Sequence, residues 1–184
     1  MPPPENITAR SVLLRRAQPS DAQYLYLAAR NADVVRFMDW PMPTDPRDTE
    51  AHLRQSSADW DAGSEYQWVI LDRSSAECMG TISCRIKGHS ADFGYFLGRN
   101  HWGKGLATDA ASAVLAWLDT QSEIIRVWAS ADAENVRSRR LLERLGLQLE
   151  GVLRMATVRP NIGGLPRDTV IYARTKPVTQ LGID

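Results

Sequence analysis

The sequence predicts an α/β domain built on a mixed sheet. Residues 66–98 alternate apolar and polar in three consecutive runs, the pattern of an antiparallel meander. Residues 91–130 then read as strand, helix, strand, a unit whose two strands become parallel neighbours. With a strand and two helices ahead of the meander, and a helix and two strands behind, the order is βααβββαβαββ.

Ser11 to Arg16 forms the first strand, and Asp21 to Arg30 a helix that Ser20 is placed to cap. Asp45-Pro46 supplies a cap and a first-turn proline for a second helix reaching about Asp61. That helix is mostly polar, so it is expected at the periphery. Tyr66 to Asp72, Cys78 to Lys87 and Ala91 to Gly98 are the meander strands, separated by a Ser74-Ser75 turn and by Gly88. Across Gly105 to Leu118 the apolar Leu106, Ala110, Ala113, Val114 and Trp117 recur at helical spacing, and the alanines allow close approach to a sheet. Ile124 to Ser130 is a short apolar strand, and Asn135 to Leu145 a helix stopped by Gly146. About Leu147 to Val158 and Thr169 to Thr175 are the last strands, joined across Asn161-Ile162-Gly163-Gly164. Pro2 to Asn6 and Lys176 to Asp184 read as loose termini.

The 184 residues suit one domain (1–184, core about 11–175). The 22 basic and 22 acidic side chains cancel, whereas a dedicated phosphate-backbone binder carries a basic excess, so nucleic acid is not expected as a partner. The longest apolar run, around Ala113 to Leu118, is far too short to span a bilayer, and Met-Pro-Pro-Pro-Glu-Asn lacks the charge and apolar stretch of a signal peptide. No membrane association and a cytoplasmic location are expected. Cys78 and Cys84 sit six residues apart in one strand, about 20 Å, too far to pair without a sharp bend. With only His52, His89 and His101 beside them, no metal-ligand cluster is visible.

The informative segment runs from Gly94 to Thr108, where a strand enters a glycine-bearing loop and the loop enters a helix. Such a junction aims unpaired N–H groups and the positive end of a helix dipole at one point, an anion site for a phosphate or pyrophosphate. Gly103 and Gly105 allow the backbone close to the ligand, and Ala107 keeps the first turn free of bulk. Gly98 to Lys104 also satisfies G-x-x-x-x-G-K, but Gly105 stands where a P-loop needs Ser or Thr for magnesium, and the preceding strand alternates. About thirty residues on, Ser138 shares a helix face with Leu141, Leu142 and Leu145, while Arg137, Arg140 and Arg144 share the opposite face, in reach of a distal ligand phosphate.

Together Trp102-Gly103-Lys104-Gly105-Leu106-Ala107, Asn135-x-x-Ser138, Leu145-Gly146-Leu147 and Leu149-Glu150-Gly151 resemble the GNAT superfamily of acetyl-CoA-dependent N-acetyltransferases. The resemblance runs from about Ser11 to Thr175 and is nearest to the branch that acetylates the N-terminal amine of ribosomal proteins. It implies a GNAT-like, mostly antiparallel sheet of about seven strands flanked by about four helices and splayed at the cofactor site by a bulge. It also implies that the amides of Trp102, Gly103, Lys104, Gly105, Leu106, Ala107 and Thr108 bind the acetyl-CoA pyrophosphate. The strand edge at Phe96 and Leu97 would hold the pantetheine, with the N–H near Leu97 on the thioester carbonyl.

By the same resemblance Asn135 holds the pantetheine, and Ser138 both binds cofactor and protonates the departing thiolate. Asp92 matches a position where other members place a glutamate base, one methylene longer; the ribosomal-protein branch often has a glutamate where this chain has Thr157. An α-amine with a pKa near 8 needs less help than a lysine near 10.4, so a low-pKa amine is favoured. Trp40, Trp60, Tyr66 and Trp68 fall near the segments that wall the acceptor cleft in similar proteins. The expected reaction moves acetyl to a primary amine, a protein N-terminus or a small amine, by direct attack in a ternary complex, in a monomer or homodimer. A catalytically weak CoA-binding or sensing protein of this fold, and more remotely a P-loop NTPase, are the alternatives.

Overall fold

The computed structural model describes residues 2–177. Among them the sheet holds eight strands: β1 (Asn6–Thr8), β2 (Val12–Arg16), β3 (Glu65–Asp72), β4 (Cys78–Lys87), β5 (Ser90–Leu97), β6 (Arg126–Asp132), β7 (Gln148–Val158) and β8 (Pro166–Thr175). The α-helices are α1 (Ala22–Ala29), α2 (Ala32–Val35), α3 (Pro46–Ala62), α4 (Leu106–Asp119) and α5 (Val136–Arg144). The strands lie in the order β1-β2-β3-β4-β5-β6-β8-β7, and only β5–β6 is a parallel pair. All seven expected strands and four expected helices form; β1 and the one-turn α2 are additional.

β1 corrects the expectation of a loose N-terminus. Ile7 packs against the core, Asn6 to Thr8 pair with Arg15 to Leu13, and Pro4 accepts the Trp68 indole N–H at 3.1 Å. At the other end Lys176 is tied down by its N–H on Ile125 O at 2.8 Å; the remainder of the expected loose tail, 178–184, lies outside the described residues. Ser20 does not cap α1. It falls within a 3-10 turn (Pro19–Asp21) closed by the Asp21 carboxylate, which accepts the Gln18 N–H at 2.8 Å. Asp45 caps α3 as expected, accepting the Arg47 N–H at 2.8 Å. This polar helix still buries a stripe through Leu53, Ser56 and Trp60. β6 begins at Arg126 rather than Ile124, because the Ile124 N–H is used to close the preceding turn on Gln121 O at 3.2 Å.

Alternation along the strands splits the core. On one face α4 and α5 pack on Val12, Leu14, Trp68, Ile70, Ile82 and Phe93; on the other, Leu25 of α1 and Leu53 of α3 pack on Val69 and Leu71. Gly80 admits β5 at close range, since a Cβ there would stand 2.1 Å from Phe96 O. Among the described residues no helix is long and apolar enough to cross a membrane.

The feature that positions the site is a gap inside the sheet. β5 pairs with β6 over three residues only, Ser90↔Arg126 to Asp92↔Trp128. The expected bulge in β5 is absent: its ladder with β4 is continuous from Gly80↔Leu97 to Lys87↔Ser90. The strands part because each is committed to its outer neighbour, β5 to β4 and β6 to β8, from Arg126↔Thr175 to Asp132↔Thr169. The bulges fall elsewhere, in β3 at Ile70/Leu71 and in β7 at Leu149/Gly151 and Leu153/Thr157. β7 is an edge strand with Leu149, Val152, Leu153 and Met155 exposed.

Candidate active site

The gap opens into a cavity of about 1540 Å³. One wall is the β5–α4 junction. The Gly98 N–H donates to Met79 O of β4 at 2.8 Å, so strand alternation turns the Leu97 N–H the other way, toward the gap. The Leu97 carbonyl, on that same side, accepts the Trp102 indole N–H at 2.8 Å, which pins the loop to the strand end. Gly103 and Gly105 both have φ +77°, a left-handed conformation costly for other residues, and a Cβ on either would meet open space.

Gly105 caps α4 with no side chain, and the first helical bond is Asp109 N–H to Gly105 O at 3.0 Å. The N–H groups of Leu106, Ala107 and Thr108 therefore have no intrahelical partner and carry the positive helix end. Asp109, the acid of this first turn, is engaged by the Ser11 N–H at 2.6 Å. The guanidinium carbons of Arg99 and Arg137 stand 4.8 and 4.6 Å from the Trp102 ring centre, which adds cationic charge beside the free amides. Phe96, Leu97, Trp102, Gly103, Gly105, Leu106, Ala107 and Thr108 all line the cavity, as do Arg137, Arg140 and Arg144; Lys104 is exposed outside that lining.

The opposite wall is the start of α5. Asn135 Oδ1 accepts the Ser138 N–H at 3.2 Å, closing the helix end and leaving its Nδ2 hydrogens for another partner. The Ser138 hydroxyl meets the Tyr95 phenol, a residue that sequence reasoning passed over as one more member of the meander. Burial raises the Tyr95 pKa, while the Ser138 bond and the Arg144 charge pull the other way. Nothing in the sequence signals this pairing, because 43 positions separate the two and only the docking of α5 beside β5 joins them.

The candidate base Asp92 is engaged, and so is Thr157, which stands where a glutamate is common. Arg85 holds Asp92 through Nε and Nη2 at 3.0 and 2.6 Å, both on Oδ2. Thr157 accepts the Thr169 hydroxyl at 2.9 Å.

Of the aromatic candidates, Trp40 lines the cavity and packs edge-on to Phe96 at 5.9 Å. Tyr66 and Trp68 do not line it, which corrects the expectation that they contact an acceptor. With Trp60 and Trp117 they form an aromatic core cluster whose ring centres lie 5.0–6.5 Å apart, and Trp68 is 0% exposed. Their apolar area is spent on packing.

A roof over the cavity was also missed. Asn161 Nδ2 donates to Val35 O at 2.8 Å and Trp40 O at 2.9 Å, and its Oδ1 accepts the Met42 N–H at 2.9 Å. One side chain in the β7–β8 turn thus straps down the segment after α2. Below it lies a buried ionic group. Burial works to raise the Asp132 carboxyl, yet the Arg167 bonds at 2.7 and 3.1 Å, the Glu134 N–H and the Arg159 charge together bring it below the ordinary value.

The free amides, the sheet gap and the Asn135–Ser138 helix start border one cavity. Residues 11–148 match the family model of the acetyltransferase (GNAT) domain. The chain belongs to the GNAT acetyltransferase family. It is an acyltransferase by that membership, and the P-loop reading of Gly98 to Lys104 is overturned: β5 lies between an antiparallel and a briefly parallel neighbour, and α4 starts at a glycine.

The [ribosomal protein uS5]-alanine N-acetyltransferase of Escherichia coli is 30% identical over 190 residues, covering 95% of this chain and 93% of that protein. Among solved structures, a ribosomal L7/L12 α-N-protein acetyltransferase in complex with coenzyme A superposes with a TM-score of 0.85 at 23% identity, over 93% of this chain and 98% of that one. The microcin C7 self-immunity acetyltransferase in complex with acetyl-CoA and AMP gives 0.82 at 26% identity, over 90% and 93%. The first of these two structural likenesses carries the fold alone.

Proposed function

We propose that the chain, with 11–175 acting as one catalytic unit in the cytoplasm, moves acetyl from acetyl-CoA to a primary amine, foremost the N-terminal amine of a protein, in a ternary complex. The observation that carries this reading is the three-residue β5–β6 ladder, whose open end is faced on one side by the unpaired α4 amides and on the other by Asn135 and Ser138. The cleft residues fit acetyl-CoA. The amides of Gly103 to Thr108 and the α4 dipole suit a pyrophosphate, with Arg137, Arg140 and Arg144 on the same rim. The gap-facing edge of β5 has the backbone groups to take the pantetheine arm as a partial strand, and Asn135 Nδ2 adds a donor.

In the transfer, the Leu97 N–H donates to the thioester oxygen as negative charge grows there. The amine must be unprotonated to attack; its nitrogen forms the amide bond as the carbon–sulfur bond breaks, the departing thiolate takes a proton from the Ser138 hydroxyl, which Tyr95 backs, and the proton the nitrogen sheds returns through solvent to Ser138. A covalent acetyl-enzyme has no support. Neither cysteine lines the cavity, and burial first of all pushes the Cys78 thiol up to about 11 and the Cys84 thiol up to about 12.

The test is thiol release from acetyl-CoA with peptides bearing a free N-terminus, their N-blocked counterparts and polyamines. Release that depends on the free α-amine supports the reading, and release with none of them sinks it. A second reading, a CoA-binding or sensing protein with weak catalysis, is favoured by the engagement of Asp92 with Arg85 and by Thr157 standing where a glutamate base is common. It predicts stabilisation by acetyl-CoA without turnover on any amine.

A further inference from the structure

Arg159, one residue past the end of β7, lines the cavity and is only 6% exposed. Its Nε is buried and has no hydrogen-bond partner among the described residues. The Asp132 carboxylate stands 3.9 Å away, beyond hydrogen-bond range. That carboxylate is taken by Arg167 on both oxygens and by the Glu134 N–H at 3.0 Å, and Arg167 also pairs with Glu134 at 2.8 Å. Both neighbouring acids hydrogen-bond to Arg167, so Arg159 faces Asp132 only as an ion pair at 3.9 Å and its Nε hydrogen is given to neither acid. A buried donor left so is unfavourable unless a ligand supplies the acceptor. The guanidinium is also well placed: Asn161, two residues on, fixes the turn to Val35 and Trp40, so Arg159 sits between the strapped roof and the floor at Asp132.

We propose that Arg159 recognises the acceptor by donating to a carbonyl or carboxylate oxygen carried next to the acceptor amine. The cleft then selects aminoacyl amines, a peptide N-terminus or an amino acid, over polyamines. The charge sign agrees, since a second ammonium group meets repulsion from Arg159 whereas a carbonyl or carboxylate oxygen meets a donor. This rests on the amine N-acetyltransferase reading, and it adds what the acceptor must carry.

The experiment is a thermal-shift titration of the CoA-saturated protein with trialanine amide, alanine and spermidine, with thiol release from acetyl-CoA measured in parallel, on wild type, Arg159→Gln and Arg159→Lys. The expected result is stabilisation by trialanine amide or alanine and not by spermidine, lost in Arg159→Gln and weakened in Arg159→Lys. The acceptor KM rises about tenfold or more, the loss of one charged hydrogen bond, while the acetyl-CoA KM holds. Preference between trialanine amide and alanine separates a peptide carbonyl from a free carboxylate. Equal stabilisation by spermidine, an unchanged response of Arg159→Gln, or no stabilisation of the wild type by any of the three overturns the proposal. If Arg159→Gln no longer gains stability from CoA, its fold is damaged and the same comparison is read on Arg159→Lys. Arginine-dependent binding of trialanine amide without thiol release would leave Arg159 standing and remove the transferase reading. Release with spermidine alone would do the reverse.

Discussion

Asn161→Ala tests the roof. The side chain makes three hydrogen bonds, at 2.8, 2.9 and 2.9 Å, and each joins the β7–β8 turn to the segment after α2. At about 1 kcal/mol apiece their loss amounts to about 3 kcal/mol. For a chain of this length that lowers Tm by about 6–12 °C. Because the strapped segment shares a packing cluster with Phe96 and Trp102 at the β5–α4 junction, loosening it raises the KM of both substrates. Asn161→Asp sharpens the test: it keeps an acceptor for the Met42 N–H but aims an oxygen at Val35 O and Trp40 O, so it destabilises at least as much as the alanine. Thermal melts with and without CoA, and initial rates with each substrate varied in turn, supply both readouts. A Tm within about 2 °C of wild type, or KM values unchanged for both substrates, would refute the assignment of these bonds to a strap over the cavity.

Three further outcomes follow from the geometry. Gly105→Ala adds a Cβ in open space at φ +77°, so folding loses only about 1 kcal/mol, whereas CoA affinity by calorimetry falls because the methyl stands beside the free amides; wild-type affinity would remove Gly105 from the binding loop. Ser138→Ala lowers turnover and shifts its pH profile, since the leaving thiolate loses its donor; unchanged turnover and profile would end the acid role. Asp132, 1% exposed, has its carboxyl held below the unfolded value, so it stabilises the fold above about pH 4, and this is lost as pH falls through the lowered folded-state value. Asp132→Asn removes the charge facing Arg159 and leaves Arg167 only Glu134, costs about 3–5 kcal/mol at pH 7 and flattens stability below about pH 4; urea unfolding at pH 7 and pH 3 checks both, and equal loss at the two pH values contradicts it.

Legibility followed the range of the interaction. The meander and α4 were readable because alternation and helical spacing are local, and the cofactor side because Gly103, Gly105 and the α4 start lie in one short run. β1 and α2, of three and four residues, are shorter than any period that could announce them. The rest of the cavity wall was largely hidden. Tyr95 with Ser138, Asp132 with Arg159, and Asn161 with Trp40 are joined only by tertiary packing. Tyr66 and Trp68 misled because an aromatic residue reads the same whether it fills a core or faces a ligand; the partner cluster around Trp117 decides.

The two outer strands of the sheet bear on how the protein behaves in concentrated solution. An open sheet exposes a row of backbone donors and acceptors at each end, and a flat apolar end invites another chain to continue the ladder. Here one end is β1, three residues long. The other, β7, is eleven residues long and rich in exposed apolar side chains, but its register breaks at Leu149/Gly151 and again at Leu153/Thr157, where Met155 takes φ +48° and its N–H turns inward to Asp168 at 2.9 Å. A passing strand finds no more than three consecutive residues in regular step, Gly151 to Leu153, too few for a ladder to grow. Straightening the 154–156 kink would turn this end into a template for fibril-like stacking.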